Sequence, residues 1–241
     1  MVGWKLFKHA VLMIVRNFTD ILRIGFLPML TAIASIGLLA FALVGSGSIS
    51  NAASQFTWLV LPFFAIGFFC MFWFIVGWHR FVLLQEMPNG WLNKPNGKIA
   101  NYFGTIVKLF LVSLLCMMPA LLILLAFKSL PILLFPIMLS YMFVVFYLLF
   151  RLSISLPAAA IGEPLTLGET LAATEGNLGA FIVLFLCSLV FQLAVQFLAS
   201  VLIIVPILAA VVSLAGTIFT SMLNVSILTT LYGYFVEKRE L

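Results

Sequence analysis

Few groups in this chain could do chemistry, and their spacing keeps them apart. Seven Asp/Glu, two His and three Cys are spread over 241 residues. His9 and His79 each flank a different apolar run, so neither a bis-His haem nor a zinc site is expected. Cys70, Cys116 and Cys187 lie inside apolar runs with no CxxC spacing and no neighbouring His. They read as small packing residues, not as metal ligands or disulfide halves. Acid–base catalysis needs paired groups within reach of a reacting atom. The acids that could serve are Glu86, Glu163, Glu169 and Glu175. Thr166-Leu-Gly-Glu169 has the spacing of a helix-capping box, and Gly162-Glu163-Pro164 reads as a turn. Walker A, GxSxG, HExxH and GxGxxG are all absent from the sequence. No enzymatic activity, metal or cofactor is therefore expected.

Two polar groupings remain. His79, Arg80, Glu86, Arg151, Glu163 and Glu169 stand at the ends of apolar runs and form a candidate interaction face. Charge pairing of the acids with Arg80 or Arg151 is its first expected role, and a catalytic or ligand-binding role its second. Deeper in apolar sequence lie Gln192 and Gln196, four apart and so on one helix face. Thr217, Thr220, Ser221 and Asn224 follow on the next run. At 1.5 Å rise per residue Gln192 comes level with Ser221, and Gln196 with Thr217. Interhelical hydrogen bonds, each contributing roughly 0.6–2 kcal/mol, are the expected use. A polar site for a lipid headgroup or small solute is the alternative.

The elements that carry these residues follow from composition. Hydrophobic residues make up 65% of the chain and charged residues 8%, a balance that water could not solvate as a compact fold. The expected class is all-α: a polytopic helical membrane bundle with six transmembrane helices plus amphipathic interfacial helices. Spans are expected near Gly25–Val44, Thr57–Trp78, Thr105–Phe127, a fourth ending at Arg151, Gly179–Ile204 and Ile207–Phe235. Each holds about the 20 apolar residues a bilayer core requires. A polar linker, Gly45–Gln55, separates the first two. A turn-rich loop with Pro88-Asn89-Gly90 and Lys94-Pro95-Asn96-Gly97 separates the second and third, and Lys128–Pro131 separates the third and fourth. A short helix is expected between Thr166 and Gly176. Ionisable residues at depth, which proton relays need, are missing from these spans.

The first residues, Gly3–Arg23, have helical periodicity, with Lys5, His9, Arg16 and Arg23 on one narrow stripe. Such a helix suits either the membrane interface or a seat beneath its own bundle. The apolar run that follows is too long and too late for a secretory signal, so it is expected to persist. Basic residues fix the topology. With the N-terminus cytoplasmic, every Lys and Arg except Lys128 faces the cytoplasm. The expectation is a multi-pass protein of the bacterial cytoplasmic membrane with both termini inside. Scattered singly, the cations do not form the patch a nucleic acid would need.

A weak internal repeat is also visible. Arg16–Leu27, Ala100–Leu111 and Glu175–Leu186 align at Asn17, Asn101 and Asn177, each before a two-span hairpin. One membrane domain, 1–241, would then hold three helix-plus-hairpin units, approximately 1–80, 81–151 and 152–241.

Two loops carry a resemblance. Arg151-Leu-Ser-Ile-Ser-Leu-Pro157-Ala, then Gly162-Glu-Pro and Leu171-Ala-Ala-Thr174-Glu-Gly176-Asn177, resemble a signature of bacterial six-span proteins. These are the YciC-like inner-membrane family and the membrane domain joined to some glycerophosphodiester phosphodiesterases. Trp78-His79-Arg80-Phe-Val-Leu-Leu-Gln-Glu86 resembles a related pattern. The resemblance implies six helices in a bacterial inner membrane and supplies no activity. The expected function is a non-catalytic scaffold, accessory subunit or envelope factor. Its partners would be membrane lipids, and a membrane-protein partner or a second copy of the chain. A transporter or flippase-like carrier of a lipid or small amphiphile is the alternative.

Overall fold

The computed structural model describes residues 2–45, 52–88, 90–94 and 98–240. Among these the regular structure is helical: α1 (Val2–Arg16), α2 (Phe18–Gly45), α3 (Ala52–Leu84), α4 (Ile99–Phe127), α5 (Pro131–Leu152), α6 (Ser155–Ile161), α7 (Leu167–Ala173), α8 (Leu178–Val201) and α9 (Pro206–Phe235). Six of the helices are long and apolar enough to cross a membrane, and the chain is a multi-pass α-helical membrane protein.

The spanning helices form three antiparallel hairpins, α2–α3, α4–α5 and α8–α9. Two of the reversals are built alike. Leu130 and Val205, each before a proline, sit outside the helical region (ψ 67° and 88°), as clash with the following ring demands. Pro131 and Pro206 then open the return helices, where a missing N–H costs nothing. The first reversal cannot be compared, because residues 46–51 of the expected linker lie outside the described residues; α3 already begins at Ala52. Asn89 and residues 95–97 of the next loop also lie outside them.

The hairpins meet at the end that carries both termini, called here the near end. The core comprises Leu6, Ala10 and Ile14 of α1, Trp78 and Phe81 of α3, Ile154, Ala158 and Ile161 around α6, Phe181 and Leu184 of α8, and Leu223, Leu231 and Phe235 of α9. A smaller cluster joins α3 to α4 and α6 through Phe72, Trp73, Val76, Ile99, Tyr102 and Ala160. Toward the far end the contacts among the described residues lie within hairpins, such as the Tyr141 hydroxyl to the Cys116 carbonyl and Phe191 against Phe219.

Three local results differ from the sequence expectation. The N-terminal amphipathic helix breaks at Asn17, whose side-chain amide donates to the Met13 carbonyl at 2.8 Å. The span that follows therefore starts at Phe18. Of the two seats open to α1, it takes the one beneath the bundle, on α8 and α9, while Trp4 and Val15 remain exposed. The third difference is α6, a helix that no sequence pattern predicts. Ala158, Ala159 and Ala160 are fully buried, and their small size lets α6 lie directly against α3 and α4. It ends at Gly162, whose φ of +93° is a left-handed cap that favours glycine.

The aligned asparagines do not mark equivalent structures. Asn17 separates two helices, Asn101 lies inside the first turn of α4 and Asn177 caps α8. The first hairpin is preceded by α1 and the third by α6 and α7. The segment before α4 has no helix among its described residues.

Candidate functional site

Charges at the near end tie short helices to long ones. Arg80 forks onto the Glu86 carboxylate, with Nε to Oε2 at 2.8 Å. It also donates to the carbonyls of Ala160 and Ile161 at 3.3 and 3.4 Å. A guanidinium at the C-terminus of α6 satisfies carbonyls that the helix itself leaves open and complements its dipole. Arg151 does the same for α7, donating to the Leu171 carbonyl and, at 2.8 Å, to the Thr174 hydroxyl. Its guanidinium also lies 5.4 Å from the centre of the Tyr147 ring.

The candidate interaction face therefore divides. His79 is a correction: it is fully buried, because α3 continues to Leu84 and carries it into the core. Its Nδ1 pairs with the Thr229 hydroxyl at 2.8 Å, and Nε2 has no partner among the described residues. Next to it the Trp78 indole donates to Ser226 at 3.1 Å. Arg80 and Arg151 are engaged in capping, and Glu86 pairs with Arg80. Glu169 completes the expected box: its backbone N–H donates to the Thr166 hydroxyl at 3.2 Å, and its carboxylate accepts from the Thr166 N–H at 2.8 Å. Those bonds from Thr166 hold its carboxyl below the usual range. Glu163 is exposed. Its charge is felt by Glu237, whose carboxyl is pushed up first by burial and then by Glu163, against Arg239.

The intramembrane grouping is also arranged otherwise than expected. Gln192, Gln196, Thr217, Ser221 and Asn224 are all exposed. Thr217 and Ser221 bond back to the carbonyls of Ser213 and Thr217 at 2.8 and 2.9 Å. Gln192, Gln196 and Asn224 make no hydrogen bond among the described residues. The expected bonds between α8 and α9 fail because α8 meets α9 through the residue before each glutamine, with Phe191 against Phe219 and Val195 against Gly216. One residue along a helix is 100° around it.

The stripe nevertheless has a direction. Phe185, Gln192 and Gln196 stand at i, i+7 and i+11 on one face of α8. At the near end that face meets α5, with Phe185 against Phe146 and Phe181 against Tyr147 and Phe150. On α9, Thr217, Ser221 and Asn224 continue the face of Leu231 and Phe235, both buried. Surfaces closed by neighbours at the near end run on uncovered and polar toward the far end.

Sequence reasoning missed one feature entirely. A cleft of about 410 Å³ lies between the α1–α2 elbow, the end of α3 and the tail after α9. His9, Arg16, Asp20, Thr230, Arg239 and Glu240 contribute to its walls. Partial burial, and then the Arg16 charge, hold His9 below its usual range. The charged residues at both termini were legible only as topology signals, and nothing local showed that the two ends of the chain meet.

No family model, no curated protein and no solved structure matches the chain.

Proposed function

We propose that this is a non-catalytic protein of the bacterial cytoplasmic membrane, with both termini inside, that serves as a scaffold, accessory subunit or envelope factor by binding a membrane partner or lipid. The observation that carries this reading is the amide set Gln192, Gln196 and Asn224 on spanning helices, unpartnered among the described residues. An amide left without a partner in hydrocarbon costs several kcal/mol, so an occupant that supplies donors and acceptors is favoured there. The engagement of Arg80, Arg151 and Glu169 in helix capping, and of Glu86 in pairing with Arg80, speaks for structural rather than catalytic use of the loops. The loop motifs' resemblance to the YciC-like family supports the same membrane and adds no activity.

A second reading, a carrier for a lipid or small amphiphile, draws on the same open stripe, since a flank that no neighbour closes could admit such a molecule. Mass spectrometry of material extracted gently from native membranes, wild type against Gln192→Leu/Gln196→Leu, separates the readings. A stoichiometric polypeptide, foreign or a second copy of the chain, that is lost in the variant supports the scaffold. One enriched lipid lost in the variant supports the carrier. A folded variant with an unchanged complement of partners and lipids rejects both.

A further inference from the structure

The polar stripe of the third hairpin is ordered in a way that identifies its occupant. Apart from Cys187, every polar side chain of α8 lies on one ridge, Ser188, Gln192, Gln196 and Ser200, four residues apart. On α9, Ser213, Thr217 and Ser221 make a similar ridge, with Thr220 and Asn224 beside it. Gln192, Gln196, Ser213, Thr220 and Asn224 make no side-chain hydrogen bond among the described residues.

Both ridges lie on one flank of the hairpin. The helices touch through Phe191 and Phe219 and through Val195 and Gly216. Gln192 and Gln196 each follow a contact residue of α8, and Thr220 and Thr217 each follow one of α9. In an antiparallel pair, one step past the contact turns to the same side on both helices, because each winds right-handed along an opposite direction. The same contacts set the depths. Gln192 comes near the level of Thr217 and Thr220, and Gln196 near that of Ser213 and Thr217. Within one chain these groups stand side by side and do not face each other.

Depth excludes most occupants. Gln192 and Thr220 stand at the middle of the spans Leu178–Ile204 and Pro206–Phe235, about 20 Å from either end. Headgroups and water do not reach that depth, and acyl chains offer no hydrogen bond. The chain's own α5 covers this flank at the near end, with Phe146 against Phe185. Its far half brings one unbonded hydroxyl, that of Ser140. A second copy matches far better. A twofold axis along the membrane normal keeps both copies at one depth and turns α8 of each onto α9 of the other. Long amides that donate and accept then face short hydroxyls at the same level. The small α9 side chains also let the helices approach closely.

We propose that the chain forms a symmetric dimer in the membrane through the far half of this flank, Gln192 and Gln196 of each copy bonding Ser213, Thr217 and Thr220 of the other. The inference rests on the reading of the stripe as a partner surface and names the partner.

Copies per particle would be counted by single-molecule photobleaching of labelled full-length protein, diluted in vesicles of phosphatidylethanolamine and phosphatidylglycerol. Wild type should bleach in two steps. Gln192→Leu/Gln196→Leu should weaken the dimer at least tenfold, since interhelical bonds are lost from both copies. Thr217→Val/Thr220→Val, which keeps side-chain shape, should weaken it in the same direction. Two differently tagged copies, one with Gln196→Cys and one with Thr217→Cys, should be joined by a short thiol crosslinker above the background of the native cysteines. Copies that both carry Gln196→Cys should not be joined. A monomeric wild type, a dimer unchanged in either double variant, or crosslinking between two Gln196→Cys copies in place of the mixed pair overturns the proposal. A chain that is monomeric yet loses a stoichiometric foreign polypeptide in Gln192→Leu/Gln196→Leu overturns the dimer and leaves the scaffold reading standing, so the two failures are separable.

Discussion

The two ends of this bundle are made of the same helices and differ in almost everything else. At the near end Val76, Trp78, His79, Ala158–Ala160 and Leu184 are wholly enclosed, while at the far end Phe41, Ile132, Ile204 and Ile207 are 78–88% exposed. Polar side chains follow the same division. Near-end polar groups join separate hairpins, as Trp78 does to Ser226 and His79 to Thr229. Among the described residues, far-end ones bond back along their own helix, reach only the other helix of their hairpin, as Tyr141 does to the Cys116 carbonyl, or have no partner. Lipid solvates apolar side chains well, so burying them gives little reason for helices to associate in a membrane; close packing and hydrogen bonds must do it. The chain supplies both at one end only. Its hairpins are joined where α1 and α6 pack between them, and elsewhere their outer faces are exposed.

Removing the most enclosed side chain should break the contrast most severely. Trp78→Ala leaves a cavity at the junction of α3, α6 and α9 and removes the donor to Ser226. The expected loss is about 3–5 kcal/mol, read from denaturant unfolding in mixed micelles. Leu122→Ala, on a far-end residue that is 67% exposed, should cost about 0.5 kcal/mol or less. Comparable losses at the two sites would abolish the distinction between the ends.

Next come the arginine caps. Arg80→Ala strips the carbonyls of Ala160 and Ile161 and frees Glu86, and Arg151→Ala does the same to Leu171 and Thr174. Each should cost about 2 kcal/mol. Hydrogen exchange would sharpen the result: α6 should lose protection in the first variant and α7 in the second, with α4 unaffected far from the site. By contrast Gln192→Leu/Gln196→Leu should change stability in detergent by no more than about 0.5 kcal/mol, because no intramolecular bond is lost.

Reading the sequence alone recovers the spans and the Thr166–Glu169 cap, because apolar run length and capping boxes are local signals. It does not recover what depends on which faces meet. His79 looks like a boundary residue until α3 runs on past it to Leu84. Gln192 and Gln196 look level with Ser221 and Thr217 when residues are counted from the helix ends, but the contact runs through Phe191 against Phe219 and Val195 against Gly216. Ala158–Ala160 carry no periodicity that marks a buried helix, since three adjacent small residues point all around the axis. The cleft needs the second half of α1 and the tail after α9 together, which no local pattern states.

The smallest expected effect tests whether the near end's acids act through their caps. Thr166 holds the Glu169 carboxyl below its ordinary value of 4.5. Folding therefore gains from the ionised form above that value and loses the gain as pH falls through the lowered folded value. Burial raises Glu237 above 4.5, which has the opposite sign: its contribution is present at low pH and lost as pH rises through the raised value. Melting of wild type, Glu169→Gln and Glu237→Gln at about pH 6 and about pH 3.5 isolates each residue. Glu169→Gln should destabilise at the higher pH, with the difference shrinking at the lower. Glu237→Gln, which mimics the protonated form, should be relatively more stable than wild type at the higher pH. If Glu169→Gln showed a constant deficit at both, its carboxylate would be a neutral hydrogen-bond acceptor in effect, and the charge at the start of α7 would play no part in holding the near end together.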